Sequence, residues 1–134
     1  MVKTMLKCKI HRATVTDAQL HYEGSVTIDR TLMDAAGLVE YEQVHIWNVD
    51  NGNRFVTYAI EGPADSGVIC LNGAAARKVD KGDFVIIAAF GAYDGKELAE
   101  YRPTLVYVDR KNRITDVKRK IESESQRPRV AAAL

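Results

Sequence analysis

Leu20-His21-Tyr22-Glu23-Gly24-Ser25-Val26-Thr27-Ile28-Asp29 places a small hydroxyl nucleophile directly after a glycine, inside otherwise strand-like sequence. If the Gly24–Ser25 peptide is held in a strained geometry, the serine hydroxyl can attack the Gly24 carbonyl, and glycine reaches such backbone conformations most readily. The product is an ester. Base-promoted elimination then releases a chain ending at Gly24 and leaves residue 25 as dehydroalanine, which hydrolyses to a pyruvoyl group, a ketone electrophile at the new amino terminus. An isolated Gly-Ser is more often a simple turn, since both residues are common. The segments on either side decide between these readings.

Upstream, Met5 to His11 alternates, with Leu6, Cys8 and Ile10 on one side and Lys7, Lys9 and His11 on the other. This is the period of a half-buried strand, so Lys9 and His11 share a face, one that lysine ordinarily turns to solvent. Ala13 to Thr16 continues extended, Asp17 opens a short irregular or helical turn, and Val26 to Ile28 resumes as strand. Asp29 is expected to cap a short helix over Arg30 to Ala36, ended by Gly37 in the left-handed position. Gln43 to Val49 alternates again, setting Val44 and Ile46 opposite His45 and Trp47, and Asp50-Asn51-Gly52-Asn53 marks a hairpin. On the return strand, Arg54 to Ile60, the side chains of Arg54, Val56, Tyr58 and Ile60 face one way. A planar fork for a carboxylate thus shares a face with a phenol whose reference pKa of about 10 leaves it protonated at neutral pH. Thr57 falls on the opposite face.

Glu61 to Gly67 reads as a loop and Val68 to Leu71 as a brief apolar strand. It leads into Asn72-Gly73-Ala74-Ala75-Ala76, where small residues let backbone approach a ligand and Asn72 supplies an amide donor and acceptor. Taken alone, that segment is a helix N-terminus packed through alanines. Lys81-Gly82-Asp83 is a turn, and Phe84 to Phe90 is expected as a fully buried strand at the centre of the core. Asp94 to Tyr101 forms one or two helical turns ended by Pro103, Thr104 to Val108 is the last strand, and Asp109 to Arg113 is a polar turn. From Lys118 onward, mixed charges, serine and proline precede Val130-Ala131-Ala132-Ala133-Leu134, a composition that cannot bury enough to order itself. The expectation is one domain over 1–117 and a mobile tail over 118–134, or a tail ordered by another subunit.

A chain of 134 residues fits one compact domain with a real core. Its 46% hydrophobic and 28% charged residues are those of an ordinary soluble protein, and a net charge of +1 gives no reason to expect nucleic acid or an anionic membrane as partner. Cys8 and Cys70 are too few for a disulfide framework and no CxxC is present, so both thiols are expected reduced in a cytoplasmic protein. Lys7, Lys9, His11 and Arg12 interrupt any secretory h-region, and no apolar run approaches membrane-spanning length.

Lys9-Ile10-His11-Arg12, Gly24-Ser25, Ile46-Trp47-Asn48-Val49, Asn51-Gly52-Asn53-Arg54, Thr57-Tyr58-Ala59-Ile60 and Asn72-Gly73-Ala74-Ala75-Ala76 carry a resemblance in their order and spacing. From about Met5 to about Val108 the chain resembles the pyruvoyl-dependent aspartate 1-decarboxylases. Many short strands, two short helices and frequent turns read by themselves as an all-β barrel; the resemblance implies a double-psi β-barrel, assembled as a homotetramer with sites at subunit interfaces. It further implies autocatalytic cleavage between Gly24 and Ser25, with Thr57 hydrogen-bonding the Gly24 carbonyl, and decarboxylation of L-aspartate to β-alanine for pantothenate and coenzyme A biosynthesis. The cofactor it implies is the covalent pyruvoyl group derived from Ser25, which forms a Schiff base with the substrate and acts as electron sink, with neither metal nor pyridoxal phosphate. Tyr58 is then the candidate proton donor, Arg54 and Lys9 hold carboxylate, His11 completes the pocket, and Trp47, Asn72, Gly73, Ala74 and Ala75 contribute to substrate binding. Many relatives follow the alanines with histidine where this chain has Arg77, so a role tied to that side chain does not carry over.

Three alternatives stay open at this level. A pyruvoyl enzyme acting on another amino acid, such as glutamate, would keep the same catalytic residues. A non-enzymatic binding barrel would leave Gly24-Ser25 intact. A metal site from Cys8, His11, His21 and His45 has only Cys8-x-x-His11 in its favour. Whether cleavage is spontaneous or needs a maturation partner is not written in the sequence, although Glu23, beside the cut bond, is where such a difference would lie.

Overall fold

The computed structural model describes residues 1–121. Along them run β1 (Lys3–Thr14), β2 (Asp17–Gln19), β3 (Ser25–Asp29), α1 (Arg30–Ala36), β4 (Gln43–Asn48), β5 (Arg54–Gly62), β6 (Ile69–Asn72), a 3-10 helix (Gly73–Lys78), β7 (Phe84–Tyr93), α2 (Gly95–Ala99), β8 (Thr104–Val108) and β9 (Ile114–Lys118). The class is all-β with short helices, as expected. Strand order is β2-β6-β3-β5-β4-β7-β1-β8-β9. Three neighbouring pairs, β1 with β8, β2 with β6 and β3 with β5, run parallel and so need crossovers, which interleave the chain halves. This interleaving accords with the double-psi arrangement.

The core is read directly from the register. Ile10, Ile87, Ile46 and Phe55 form one cross-strand row through β1, β7, β4 and β5, and the first three are fully buried. Val26, Ile28, Ile69 and Leu71 supply the other wall from β3 and β6. Helix α1 packs Leu32, Met33 and Ala36 onto this core. Its cap is as expected: Asp29 accepts from the Thr31 N–H, and Gly37 ends the helix at φ 79°. Asp29 also accepts from the backbone N–H groups of Asp65 and Gly67, at 2.9 Å each, so one buried carboxylate ties the 63–67 loop to the start of α1. On α2, Asp94 and Glu97 make a complete capping box.

Several expectations are corrected. β1 is not a simple alternating strand. A register shift between Leu6 and Cys8 sets Leu6 opposite the exposed Phe90 and Cys8 opposite the buried Ala89, so these two residues take opposite faces. Lys7, at the shift, reaches Glu42 at 2.7 Å and the Gly37 carbonyl at 3.0 Å. A second shift, between Ile10 and Ala13, places Arg12 at φ 57°. Asp17 opens a three-residue strand rather than a turn, because β2 pairs with β6. β7 is not fully buried: Val85, Ile87 and Ala89 face the core while Phe90 is 39% exposed. Beyond the polar turn lies β9, whose backbone pairs with the edge of β8 although four of its five side chains are exposed. Lys118 therefore closes a strand, and Arg119 donates to Thr104 Oγ1 at 2.9 Å. The remainder of the expected tail, residues 122–134, lies outside the described residues.

Burial pushes the Cys8 thiol up to about 11 from the ordinary value of about 9, outweighing the lowering by Lys7. Its folded value is raised, so its contribution to stability is whole below about 9 and is lost as pH rises through about 11. Cys8→Ala should cost about 1–2 kcal/mol near neutrality and flatten the alkaline limb of stability, as read from urea midpoints at neutral pH and near pH 10. An unchanged alkaline slope would refute the thiol's contribution.

Candidate active site

Ser25 opens β3 directly opposite Asn72, the last residue of the antiparallel neighbour β6. Alternation along each strand puts Ser25 and Thr27 of β3 on the same face as Asn72 and Cys70 of β6. The side chains meet there. Asn72 Nδ2 donates to Ser25 Oγ at 2.9 Å and to Thr27 Oγ1 at 3.0 Å, and Cys70 Sγ donates to Asn72 Oδ1 at 3.3 Å. Ser25 is fully buried and Asn72 is 3% exposed, so this carboxamide has few other partners within reach. The Ser25 hydroxyl directs its own proton back to the Glu23 carbonyl at a long 3.5 Å. Burial, and next the Asp17 carboxylate, raises the Cys70 thiol, which is therefore protonated at neutral pH.

Gly73 follows at φ +66°, and a Cβ built on it would lie 2.7 Å from Gly24 Cα, 2.8 Å from Gly24 N and 3.0 Å from the Tyr22 carbonyl oxygen. The backbones of residues 24 and 73 are thus in direct contact. The expectation that Gly24 itself takes an unusual backbone angle is revised: the positive-φ glycine at this junction is Gly73, while a Cβ on Gly24 would meet nothing within 4 Å. Gly24, Thr57, Asn72, Ala74 and Ala75, with Lys78, line one cavity of about 240 Å³.

Thr57 reaches this cavity without a bulge. β5 pairs with β4 in unbroken register, so Thr57 keeps the inward side with Phe55 and Ala59. Val26 lies beside Ala59 in the parallel β3–β5 pair, and Gly24, just before that register begins, lines the same cavity as Thr57. The Gly24 segment therefore meets the threonine's cavity from the β3 side.

The remaining candidates occupy another surface. Lys9, Ala88, His45 and Val56 form one row across β1, β7, β4 and β5, and Trp47 is paired with Arg54 in the next. Tyr58 follows on the same face, opposite Gln43 and with its ring 6.4 Å from that of Tyr41. The Arg54 guanidinium lies 4.5 Å over the Trp47 ring, a cation–π contact across the β4–β5 pair. His11 sits beside Tyr107 of β8, ring centroids 5.4 Å apart. Val56 belongs both to this outward face and to the lining of the Gly24 cavity. One chain thus gathers Gly24, Ser25, Thr57, Asn72, Gly73, Ala74 and Ala75, and displays Lys9, Trp47, Arg54 and Tyr58 on the adjoining face.

Sequence reading missed Thr27, Cys70 and Lys78. The first two could have been found by stepping two residues from Ser25 and Asn72 along their strands. Lys78 could not, because the hairpin holds it in place: the side chains of Asn48, Asn51 and Asn53 all donate to its carbonyl, at 3.2, 3.1 and 3.3 Å.

The model of the aspartate decarboxylase family matches residues 1–115. The chain belongs to the aspartate decarboxylase family. It is 62% identical over 114 residues to the aspartate 1-decarboxylase of Syntrophus aciditrophicus, covering 85% of this chain and 98% of that one. It is 59% identical over 121 residues to that of Dehalococcoides mccartyi, covering 90% and 98%. The match to the Syntrophotalea carbinolica aspartate 1-decarboxylase is 62% identical over 112 residues, covering 84% and 86%. Among solved structures, it is similar to the rationally designed mkDPBB_sym_86 protein at a TM-score of 0.44 and 17% identity, covering 57% of this chain and 90% of that one. Among the described residues of this family member, no helix is long and apolar enough to cross a membrane.

The contact between Gly73 and Gly24 is directly testable. Gly73→Ala should destabilise the chain by about 1–3 kcal/mol and displace the Gly24 segment, lowering the thermal midpoint. An unchanged midpoint would show that the two backbones do not press together.

Proposed function

We propose that the chain is a self-processing decarboxylase that converts L-aspartate to β-alanine and carbon dioxide, the β-alanine supplying pantothenate and coenzyme A biosynthesis. Its prosthetic group is a pyruvoyl made from Ser25. The observation that carries this reading is the buried Ser25 hydroxyl, held by Asn72 next to a glycine pressed against Gly73, in a chain of this family. These residues fit a group made in place, because Gly73 leaves no side chain between residue 24 and the wall behind it.

In maturation, Ser25 Oγ attacks the Gly24 carbonyl carbon and loses its proton. The C–N bond breaks as the ester C–O bond forms, and the residue 25 nitrogen takes up a proton as an amine. Thr57 donates to the Gly24 oxygen as negative charge builds there, while the Asn72 N–H supports Oγ. Removal of the residue 25 α-proton then breaks the Cβ–Oγ bond, releasing the Gly24 carboxylate and leaving dehydroalanine. Water converts this to the ketone with loss of ammonia.

A pyruvoyl ketone supplies an electrophile for the substrate amine and a sink for the electrons left as carbon dioxide departs. Specificity and proton control fall to the chain. Among the described residues no acidic side chain is ion-paired with Arg54, so its fork is available to a substrate carboxylate beside the Trp47 ring. Lys9 adds a second cation and His11 completes that edge of the pocket. Ala74 and Ala75 keep the cavity wall low, so that substrate reaches backbone. Tyr58 delivers a proton to the product carbon.

Lys9, Arg54 and Tyr58 stand on the outward face, where Val56, Tyr58 and Phe90 are exposed together. A homotetramer whose sites form where copies meet buries this face and encloses the cavity. The free, buried thiols Cys8 and Cys70 suit a reducing cytoplasm.

Intact mass spectrometry of the denatured chain, with and without a ketone-trapping borohydride, tests the reading. Native protein should give two fragments meeting at Gly24 and Ser25, the larger one modified by reagent. Ser25→Ala should stay whole, folded and inactive, and any aspartate turnover by it would sink the proposal. Tyr58→Phe should be cut normally yet lose roughly a hundredfold in turnover; full activity in the cut variant would remove Tyr58 as proton donor.

A further inference from the structure

The Asn72 carboxamide can sit in two orientations that differ by a half-turn, and they are not equivalent for Ser25. In the observed one, both N–H groups point to hydroxyls, Ser25 Oγ at 2.9 Å and Thr27 Oγ1 at 3.0 Å. An N–H donor on Oγ stabilises negative charge as the hydroxyl becomes a nucleophile, and leaves its proton free to depart. In the flipped orientation, Oδ1 would face Oγ, accept its proton in a hydrogen bond and repel the developing alkoxide. Ser25 and Thr27 do not choose between the two, since a hydroxyl donates or accepts with equal ease. The choice falls to the group on the other side of the carboxamide.

That group is Cys70, whose Sγ lies 3.3 Å from Asn72 Oδ1 and whose side chain is buried. A thiol is a weak donor but a still poorer partner for an N–H, so it favours the carbonyl oxygen on its side. We propose that Cys70 is a positioning residue for self-cleavage, its S–H fixing the orientation of the Asn72 carboxamide so that the N–H groups face Ser25. Thr27 accepts the second N–H in that orientation. The raised thiol value keeps the proton on sulfur across the neutral range. Without a donor at position 70, Oδ1 is left buried without its partner and the flipped orientation becomes accessible.

This inference rests on the proposed self-cleavage of Gly24-Ser25, and the test separates the two. Freshly expressed native chain, Cys70→Ala, Cys70→Val and Cys70→Ser are incubated side by side. The cut fraction is followed by intact mass, and folding is checked by circular dichroism. Cys70→Ala and Cys70→Val, which lack a donor, should cleave roughly five- to tenfold more slowly than native chain. Cys70→Ser, which restores an O–H donor in nearly the same place, should cleave within about twofold of native, a rescue that loss of packing alone would not produce. Cleavage of a folded Cys70→Ala or Cys70→Val at the native rate would overturn the inference while leaving the self-cleavage reading intact. Equal slowing in Cys70→Ser would also overturn it, by showing that volume and not donation matters. A native chain that never cuts would overturn the self-cleavage reading, and this inference with it.

Discussion

The antiparallel meeting of β3 and β6, with Gly73 pressed against Gly24, is the constraint on which the site depends. Strand register sets Ser25 opposite Asn72, and the missing Cβ at residue 73 lets the two backbones close to a distance that no other residue allows. Once that contact is made, the Ser25 hydroxyl is removed from water and must find its partners within the protein. Asn72 is the partner within reach, and its remaining groups are taken by Thr27 and Cys70. Burial therefore does more here than stabilise. It reduces the conformations open to the Ser25 hydroxyl to a small set, which in the proposed self-cleavage would raise its effective concentration against the neighbouring Gly24 peptide.

The rest of the fold holds this junction from both ends. β3 runs from Ser25 to Asp29, where the buried carboxylate closes α1 and the 63–67 loop onto the same strand end. β6 continues into the 3-10 helix, whose far end is gripped by three asparagine side chains of the 48–53 hairpin on the Lys78 carbonyl. Asn48 also donates to Asp83 at 2.9 Å, which links this hairpin to the turn before β7. Polar side chains acting on backbone groups thus fix the loops that a small barrel must use to cross between its strands, and little of the site is left to loop packing alone.

What could be read from the sequence follows from how simply each strand meets its surroundings. β4 and β5 have one core face and one open face with no interruption, so period-two alternation reports them correctly, along with the shared face of Arg54 and Tyr58. The cap at Asp29 and the stop at Gly37 were legible because both depend on local chemistry. β1 was not, because shifts at Lys7 and near Arg12 change which face a residue takes, and bulges leave no clear mark in composition. β9 was hidden because backbone pairing with β8, not apolar burial, makes it a strand. Within the site, Ser25 and Asn72 stood out only in the company of the other segments. The approach of Gly24 to Thr57 depends on a parallel register between distant strands, and no local pattern encodes that.

The misreading of β7 has a physical reason that bears on the whole assembly. Phe84-Val85-Ile86-Ile87-Ala88-Ala89-Phe90 looks like a strand buried on both faces, yet within one chain its outward side carries Phe90 against His45 and Trp47, with ring centroids 5.1 and 6.3 Å apart. An apolar second face on a central strand is costly in water unless something covers it. The same sheet face holds Arg54, Tyr58 and Lys9, polar groups that a hydrophobic interface tolerates only where they have partners of their own. The proposed homotetramer would satisfy both conditions at once. In the proposed homotetramer the apolar part of the face would be buried against another copy, and the charged part would line a pocket that suits a dicarboxylate substrate.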